Sequence, residues 1–254
     1  MFKSVVALAL AAILCATLPA AAPAETPHKY GVELQLGGGY FTMGDVNDFV
    51  PSSAFNNIEP DKLNLGSQLG VGILYRHLDN FGWHFGYSRF IMLQKYRVSA
   101  YLSAVESWCE QTVSGSELYA MATWFWPTDI GEISLGVGPA FYSGALDRSI
   151  DIVQDGQTHL TAGTFADAEG NGFGMLGNIG LEIPLKETLG LGIVFGGRLA
   201  AIDKIMYKDA QEAERTVYTG GSNATFGIDY SGAFAKLTLR AYFKPDAGWR
   251  SPGQ

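Results

Sequence analysis

Few residues in this 254-residue chain have the types and spacings that do chemistry. The nearest approach to a nucleophile and its base is Ser88 with His84, on one face of an alternating segment. Four steps along an extended strand put them roughly 13 Å apart, too far for a base to activate a hydroxyl. His77 and His159 have no partner at catalytic spacing. Gly172-Phe-Gly-Met-Leu-Gly177 spells a dinucleotide-binding loop. That motif must follow a strand and open a helix, whereas here it follows loop-like sequence and opens an alternating run. Asp167-Ala-Glu-Gly-Asn171 begins like a calcium loop, but the position that needs a bidentate acid is Asn178. Asp147, Asp151, Asp155, Asp167 and Glu169 read as solvated loop acids. These motifs carry no expectation of a catalytic residue, a metal or a cofactor.

The other charged residues make sense only within the elements that carry them. Ala233–Phe243 alternates strictly, with Ala233, Ala235, Leu237, Leu239, Ala241 and Phe243 on one face and Lys236, Thr238, Arg240 and Tyr242 among the other. A period of two is the signature of a β-strand. Tyr30–Tyr40 repeats the pattern, as do runs through Leu69–Tyr75, Phe81–Tyr87, 115–126, Ile133–Phe141, Phe173–Ile183 and Leu189–Leu199. The facing of 115–126 is the least defined, and Leu74 interrupts the polar face of its run. The connections alternate long and short. Long, polar loops are expected at 44–65, 94–114, 146–171 and 204–224, and the closing strand is expected to start near Thr225.

The non-apolar face is dominated by glycine, with a few charges of both signs: Glu33, Arg76, Glu182, Arg198, Lys236 and Arg240. Glycine weakens a strand that faces solvent, but it makes room inside a narrow barrel. Aromatic residues gather beside the short turns, at Tyr30, Tyr75, Phe81, Trp83, Trp124, Trp126 and Phe243, as in the interfacial girdles of membrane barrels. These features point to an all-β fold, an antiparallel up-and-down transmembrane barrel of eight strands with four long extracellular loops and three short periplasmic turns. A soluble β-sandwich is the competing fold. Glu33 lies three residues from Tyr30 and Arg240 three from Phe243, so the two are expected on one level, with Arg76 flanking Glu33 from the second strand. Burial of unpaired charge is unfavourable, so Arg76, Glu33 and Arg240 are expected to form a lumenal ion network.

Residues 1–24 read as a cleaved signal peptide, from Lys3, the apolar run Val5–Leu18 and Ala22-Pro-Ala24. The barrel would then span 25–243, leaving 244–254 as a short periplasmic tail. Cys15 falls in the leader and only Cys109 remains, so no intramolecular disulfide is expected. Cys109 reads as a tolerated loop cysteine. The net charge of −8 without a basic cluster argues against nucleic acid as a partner.

The leader, the eight strands and the closing Leu239-Arg-Ala-Tyr-Phe243 resemble the small eight-stranded outer-membrane β-barrels of Gram-negative bacteria. That group includes the outer-membrane protein A transmembrane domain and the outer-membrane protein W and opacity-protein types. The resemblance is one of architecture. It implies an outer-membrane location, contact with outer-membrane lipid and lipopolysaccharide, insertion by the barrel assembly machinery, and a terminal aromatic residue that assists assembly. Eleven residues follow Phe243 here, a departure from that pattern. The expected role is non-enzymatic: structural or adhesive, with the loops engaging an extracellular ligand. A narrow passive channel for small or hydrophobic molecules is the alternative, as the W type implies, and a lipid-modifying barrel enzyme comes third. The His-x-Ser spacing of the barrel deacylases is absent.

Overall fold

The computed structural model of the chain describes residues 29–48, 63–99, 106–154, 157–160, 165–208, 213–218 and 225–243. The expected leader and tail lie outside them. Eight long strands, β1 (Tyr30–Phe41), β2 (Leu65–Leu78), β3 (Phe81–Ser99), β4 (Glu106–Thr128), β5 (Gly131–Gln154), β7 (Phe165–Lys186), β8 (Leu189–Ile202) and β12 (Gly232–Phe243), build an antiparallel cylinder. Four short strands complete the set: β6 (Gln157–Leu160), β9 (Met206–Lys208), β10 (Glu214–Thr216) and β11 (Ile228–Asp229). Among the described residues one five-residue helix, α1 (Gly44–Asp48), accompanies them. Each long strand pairs with the next, and β1 pairs with β12 from Tyr30↔Phe243 to Phe41↔Gly232, which closes the barrel and leaves no edge within this span.

Burial is inverted relative to a soluble protein. Leu36 is 61 % exposed and Leu199 70 %, while Glu33, Glu117, Arg198, Lys236 and Arg240 are buried. A contiguous apolar outer surface around a charged interior is the pattern of a membrane barrel and rules out the sandwich. At one end Tyr30 stacks on Tyr75 at 5.2 Å, and Phe81 packs on Trp83 and Trp124 at 5.7 and 5.3 Å. Trp126 and Phe243 are exposed at the same end. At the other end, the register aligns Tyr87, Leu118, Phe141 and Phe173 in one outward row across four strands. The eight steps from Leu118 to Trp126 make roughly 26 Å of strand, close to the apolar band of outer-membrane barrels.

Beyond that row the strands depart from the expected loops. Residues 94–99 and 106–114 continue β3 and β4, and 146–154 and 165–171 lie in β5 and β7. Cys109 is therefore a strand position opposite Tyr96 and Ile150, not a loop residue. The reason is physical: once a strand leaves hydrocarbon its outward positions turn polar, as Ser116, Ser114 and Thr112 do on β4, and the apolar alternation fades while pairing continues. Residues 204–224 contain the β9–β10 hairpin. β12 begins at Gly232; Thr225 lies outside it, in an isolated bridge to Tyr218, with its hydroxyl donating to the Asp203 carbonyl at 3.0 Å. The remainder of the four expected loops lies outside the described residues.

The rim is consequently lopsided. β3, β4, β5 and β7 are 19, 23, 24 and 22 residues long, against 12 to 14 for the other four. A four-stranded sheet overhangs one side of the mouth.

Candidate functional site

Inside the barrel, alternation points every second side chain into a space too narrow for water-filled passage, and glycines on neighbouring strands leave room for the large groups. A Cβ at Gly86 would collide with the Tyr119 phenol, and one at Gly190 with the Glu182 carboxylate. In the half nearest the short turns, Arg240 holds two carboxylates. Its Nε donates to Glu33 Oε2 at 3.0 Å and its Nη1 pairs with Glu182. The Tyr242 hydroxyl donates to Glu182 Oε1 at 2.6 Å. Gln35 Nε2 donates to both Glu33 Oε1 and the Tyr119 oxygen at 2.6 Å, and His84 Nε2 lies 3.4 Å from Glu33.

At mid-barrel Glu117 is the hub. It accepts from Lys236 Nζ at 3.2 Å, Gln68 Nε2 at 2.7 Å and Arg198 Nη1 at 3.1 Å. Arg198 Nη2 also donates to Gln68 Oε1 at 2.8 Å, and its guanidinium sits among the rings of Phe41, Phe90 and Phe234. Beside these clusters remains a cavity of about 20 Å³, whose lining includes Thr123, Ser134, Asn178 and Thr238. That is room for about one water molecule, which would meet the buried Thr123 hydroxyl.

Above Arg198 the lumen turns apolar. Phe41, Phe90, Met92, Phe226, Ile228 and Tyr230 form the outer part of the hydrophobic core, at the mouth, and Tyr119, Met121, Leu176 and Phe234 continue it between the membrane-spanning walls. The overhanging sheet supplies one side of this plug. The stretch after β1, with α1, and the stretch before β12 supply the other. Two aspartates tie those stretches together. Asp229 accepts from the Thr42 hydroxyl at 2.6 Å and the Ser231 N–H at 2.8 Å, and Asp45 accepts from the Gly227 N–H at 2.9 Å. Burial pushes the Asp229 carboxyl up, but its hydrogen bonds outweigh that and hold it below the usual range. Met43, fully buried, has φ 50°, the left-handed region that a branchless glycine tolerates better; its N–H donates to the Asp229 carbonyl at 2.9 Å.

The six charges singled out in the sequence all point inward, but not into one network. Glu33, Arg240 and Glu182 meet, and Lys236 and Arg198 meet each other's partner Glu117. Arg76 departs from expectation: it pairs with Glu132, Nη1 donating at 2.8 Å, and lies over the Phe125 ring, with no contact to Glu33. β1 pairs Glu33 with Gly72, so Arg76, four residues nearer the turn, reaches round towards β5. Sequence reasoning missed Glu117, Glu132, Gln35, Gln68 and Tyr119. Glu117 was legible in principle as the only charge in 115–126, but both faces of that strand look apolar: Leu118, Ala120, Ala122, Trp124 outward, Tyr119, Met121, Phe125 inward. His84 and Ser88 both face the lumen; Ser88 donates to Gln35 Oε1 at 3.3 Å, and His84 contacts Glu33 and Tyr119. The interfacial aromatics Tyr30, Tyr75, Phe81, Trp83, Trp124, Trp126 and Phe243 sit on the outer wall.

No protein-family model and no curated protein matches the chain. Among solved structures it is similar to the outer membrane protein OprG of Pseudomonas aeruginosa, with TM-score 0.51 and 10% identity over 87% of this chain and 98% of that one. Outer membrane protein AlkL, solved in lipid bilayers, aligns with TM-score 0.42 and 14% identity over 91% and 97%. The outer membrane protease OmpT of Escherichia coli aligns with 0.43 and 9% over 86% and 98%. Identities this low speak to the fold alone, and OprG carries that comparison. Apolar outside, charged within and closed by its first and last strands, the chain has the fold of a small eight-stranded outer-membrane β-barrel.

Proposed function

We propose that the protein is a non-catalytic anchor in the bacterial outer membrane, which presents its overhanging sheet and loop segments to partners outside the cell. The observation that carries this reading is the double closure of the lumen, by paired charges at mid-barrel and below and by the apolar plug above. A narrow passive channel would require both layers to move. A barrel enzyme would need a free nucleophile, and Ser88 and His84 are engaged within the lumen. The extended β3–β4 hairpin stands where an adhesive surface would be, beyond the outer aromatic row.

The test replaces residues 95–110 by Asn-Gly between the paired Gln94 and Gln111, a turn suited to a hairpin. Cells displaying the shortened chain are compared with cells displaying the full chain for adhesion to glycan- and protein-coated surfaces. Loss of adhesion with the barrel still heat-modifiable on detergent gels supports the reading. Unchanged adhesion would remove it.

A further inference from the structure

We propose that Gln35 ties the two charged layers of the lumen into one lock, so that they open together or not at all. The inference adds to the anchor reading without resting on it, because it concerns only how the interior is held. The lower cluster joins Arg240 to Glu33 and Glu182, and the mid-barrel cluster joins Glu117 to Lys236 and Arg198. Among the described residues no salt bridge runs between the two. Gln35 touches both. It lies two residues from Glu33 on the inner face of β1 and is 2 % exposed. Its Nε2 donates to Glu33 Oε1 at 2.6 Å, and its Oε1 accepts from Lys236 Nζ at 3.2 Å.

The amide is used to capacity. The second Nε2 hydrogen goes to the Tyr119 oxygen at 2.6 Å, and Oε1 also accepts from the Ser88 hydroxyl at 3.3 Å. These four contacts fix one orientation. Turned over, the amide would set its oxygen against the Glu33 carboxylate and its nitrogen against the Lys236 ammonium. Glycines on β2 provide the room: the register places Gly72 opposite Glu33 and Gly70 opposite Gln35, and a Cβ at Gly70 would lie 3.1 Å from the amide oxygen. In a buried site hydrogen bonds polarise one another, and an orphaned donor or acceptor is costly. Donation from Lys236 to Oε1 therefore strengthens donation from Nε2 to Glu33, and loss of either contact weakens the other. Two ion pairs alone would couple only through distance; the amide couples them through its orientation as well.

The experiment is a double-mutant cycle between Glu33→Gln and Lys236→Met, read by urea unfolding of the full chain in lipid vesicles. It is run twice, with Gln35 and with Gln35→Met. Each single variant leaves a partner for the charge it deserts, since Arg240 keeps Glu182 and Glu117 keeps Arg198. Direct attraction between Glu33 and Lys236 is present in both backgrounds, so the difference between the cycles is the share carried by the amide. With Gln35 in place the coupling should exceed that in Gln35→Met by roughly fivefold in the unfolding equilibrium constant. Thr123→Val is the control. The Thr123 hydroxyl lines the same cavity without a hydrogen-bond partner, so the coupling should keep its wild-type value in that variant. Should Gln35→Met give no heat-modifiable folded form, Tyr119→Phe takes its place: it removes one of the contacts that orient the amide and should lower the coupling. Equal coupling with and without the amide overturns the proposal. So does an equal fall in Thr123→Val, which would mark a general loosening of the lumen. Either result leaves the anchor reading, whose test is adhesion, untouched.

Discussion

Glu117 shows what a single residue does in this interior. It is fully buried and satisfied by Lys236, Arg198 and Gln68, and among the described residues neither cation forms a salt bridge with another carboxylate. Removing one partner of a buried ion pair leaves uncompensated charge, at a cost of about 3–5 kcal/mol. Glu117→Ala is therefore expected to destabilise the barrel by about that amount, read by urea unfolding from lipid vesicles; a loss under about 1 kcal/mol would mean that water reaches the lumen and solvates the two cations. Asp229 gives a pH dependence at the mouth. Its carboxyl titrates below the usual range in the folded protein, so its contribution to stability is complete above the unfolded value near pH 4 and is lost as pH falls through the folded one. Hydrogen exchange at the Phe226 and Tyr230 amides, which donate to Val217 and Ala200, should accelerate below about pH 4, and Asp229→Asn should flatten that dependence. An unaltered pH profile in the variant would remove Asp229 from the latch.

At the scale of elements, the membrane-spanning parts of the strands were legible because hydrocarbon enforces period two on their outer face: Leu34, Leu36, Val71, Ile73, Leu237 and Leu239 could face only one way. The extensions of β3, β4, β5 and β7 were not legible, since serine, threonine and acid on the outer face look like loop chemistry although pairing holds them extended. The charged interior was legible by residue and only partly by partner. Glu33 and Arg240 stand opposite each other in the β1–β12 register, a relation that can be counted from the strand ends, whereas the Arg76–Glu132 pair crosses between non-adjacent strands and no count along the chain reveals it. The plug was invisible for a similar reason: Phe226, Ile228 and Tyr230 alternate like the start of a strand, yet they turn into the mouth. Phe226 is fully buried there, so Phe226→Ala should cost about 3–5 kcal/mol and loosen the mouth. The shift on a detergent gel between unheated and boiled samples should survive in this variant, because the β1–β12 closure lies below the plug; its loss would mean that plug and wall fold as one unit.

For the whole molecule, the question is whether the cylinder is a wall around a path or a solid post. Two buried carboxylates, Glu33 and Glu117, and two part-buried ones, Glu132 and Glu182, face Arg76, Arg198, Lys236 and Arg240, so these eight charges are spent on one another. The outer part of the hydrophobic core lies on top of them, braced by the longer strands β3, β4, β5 and β7. Such a body holds its outer face rigidly, which suits an anchor. The measurement that bears most directly on this is planar-bilayer conductance of the refolded, heat-modifiable protein in salt solution. The closed lumen implies a baseline no different from the bare membrane, with steps appearing only when the interior is opened, as in Glu117→Ala/Arg240→Ala. Regular ohmic steps from the unaltered chain would contradict the account, and the protein would then have to be understood as a channel.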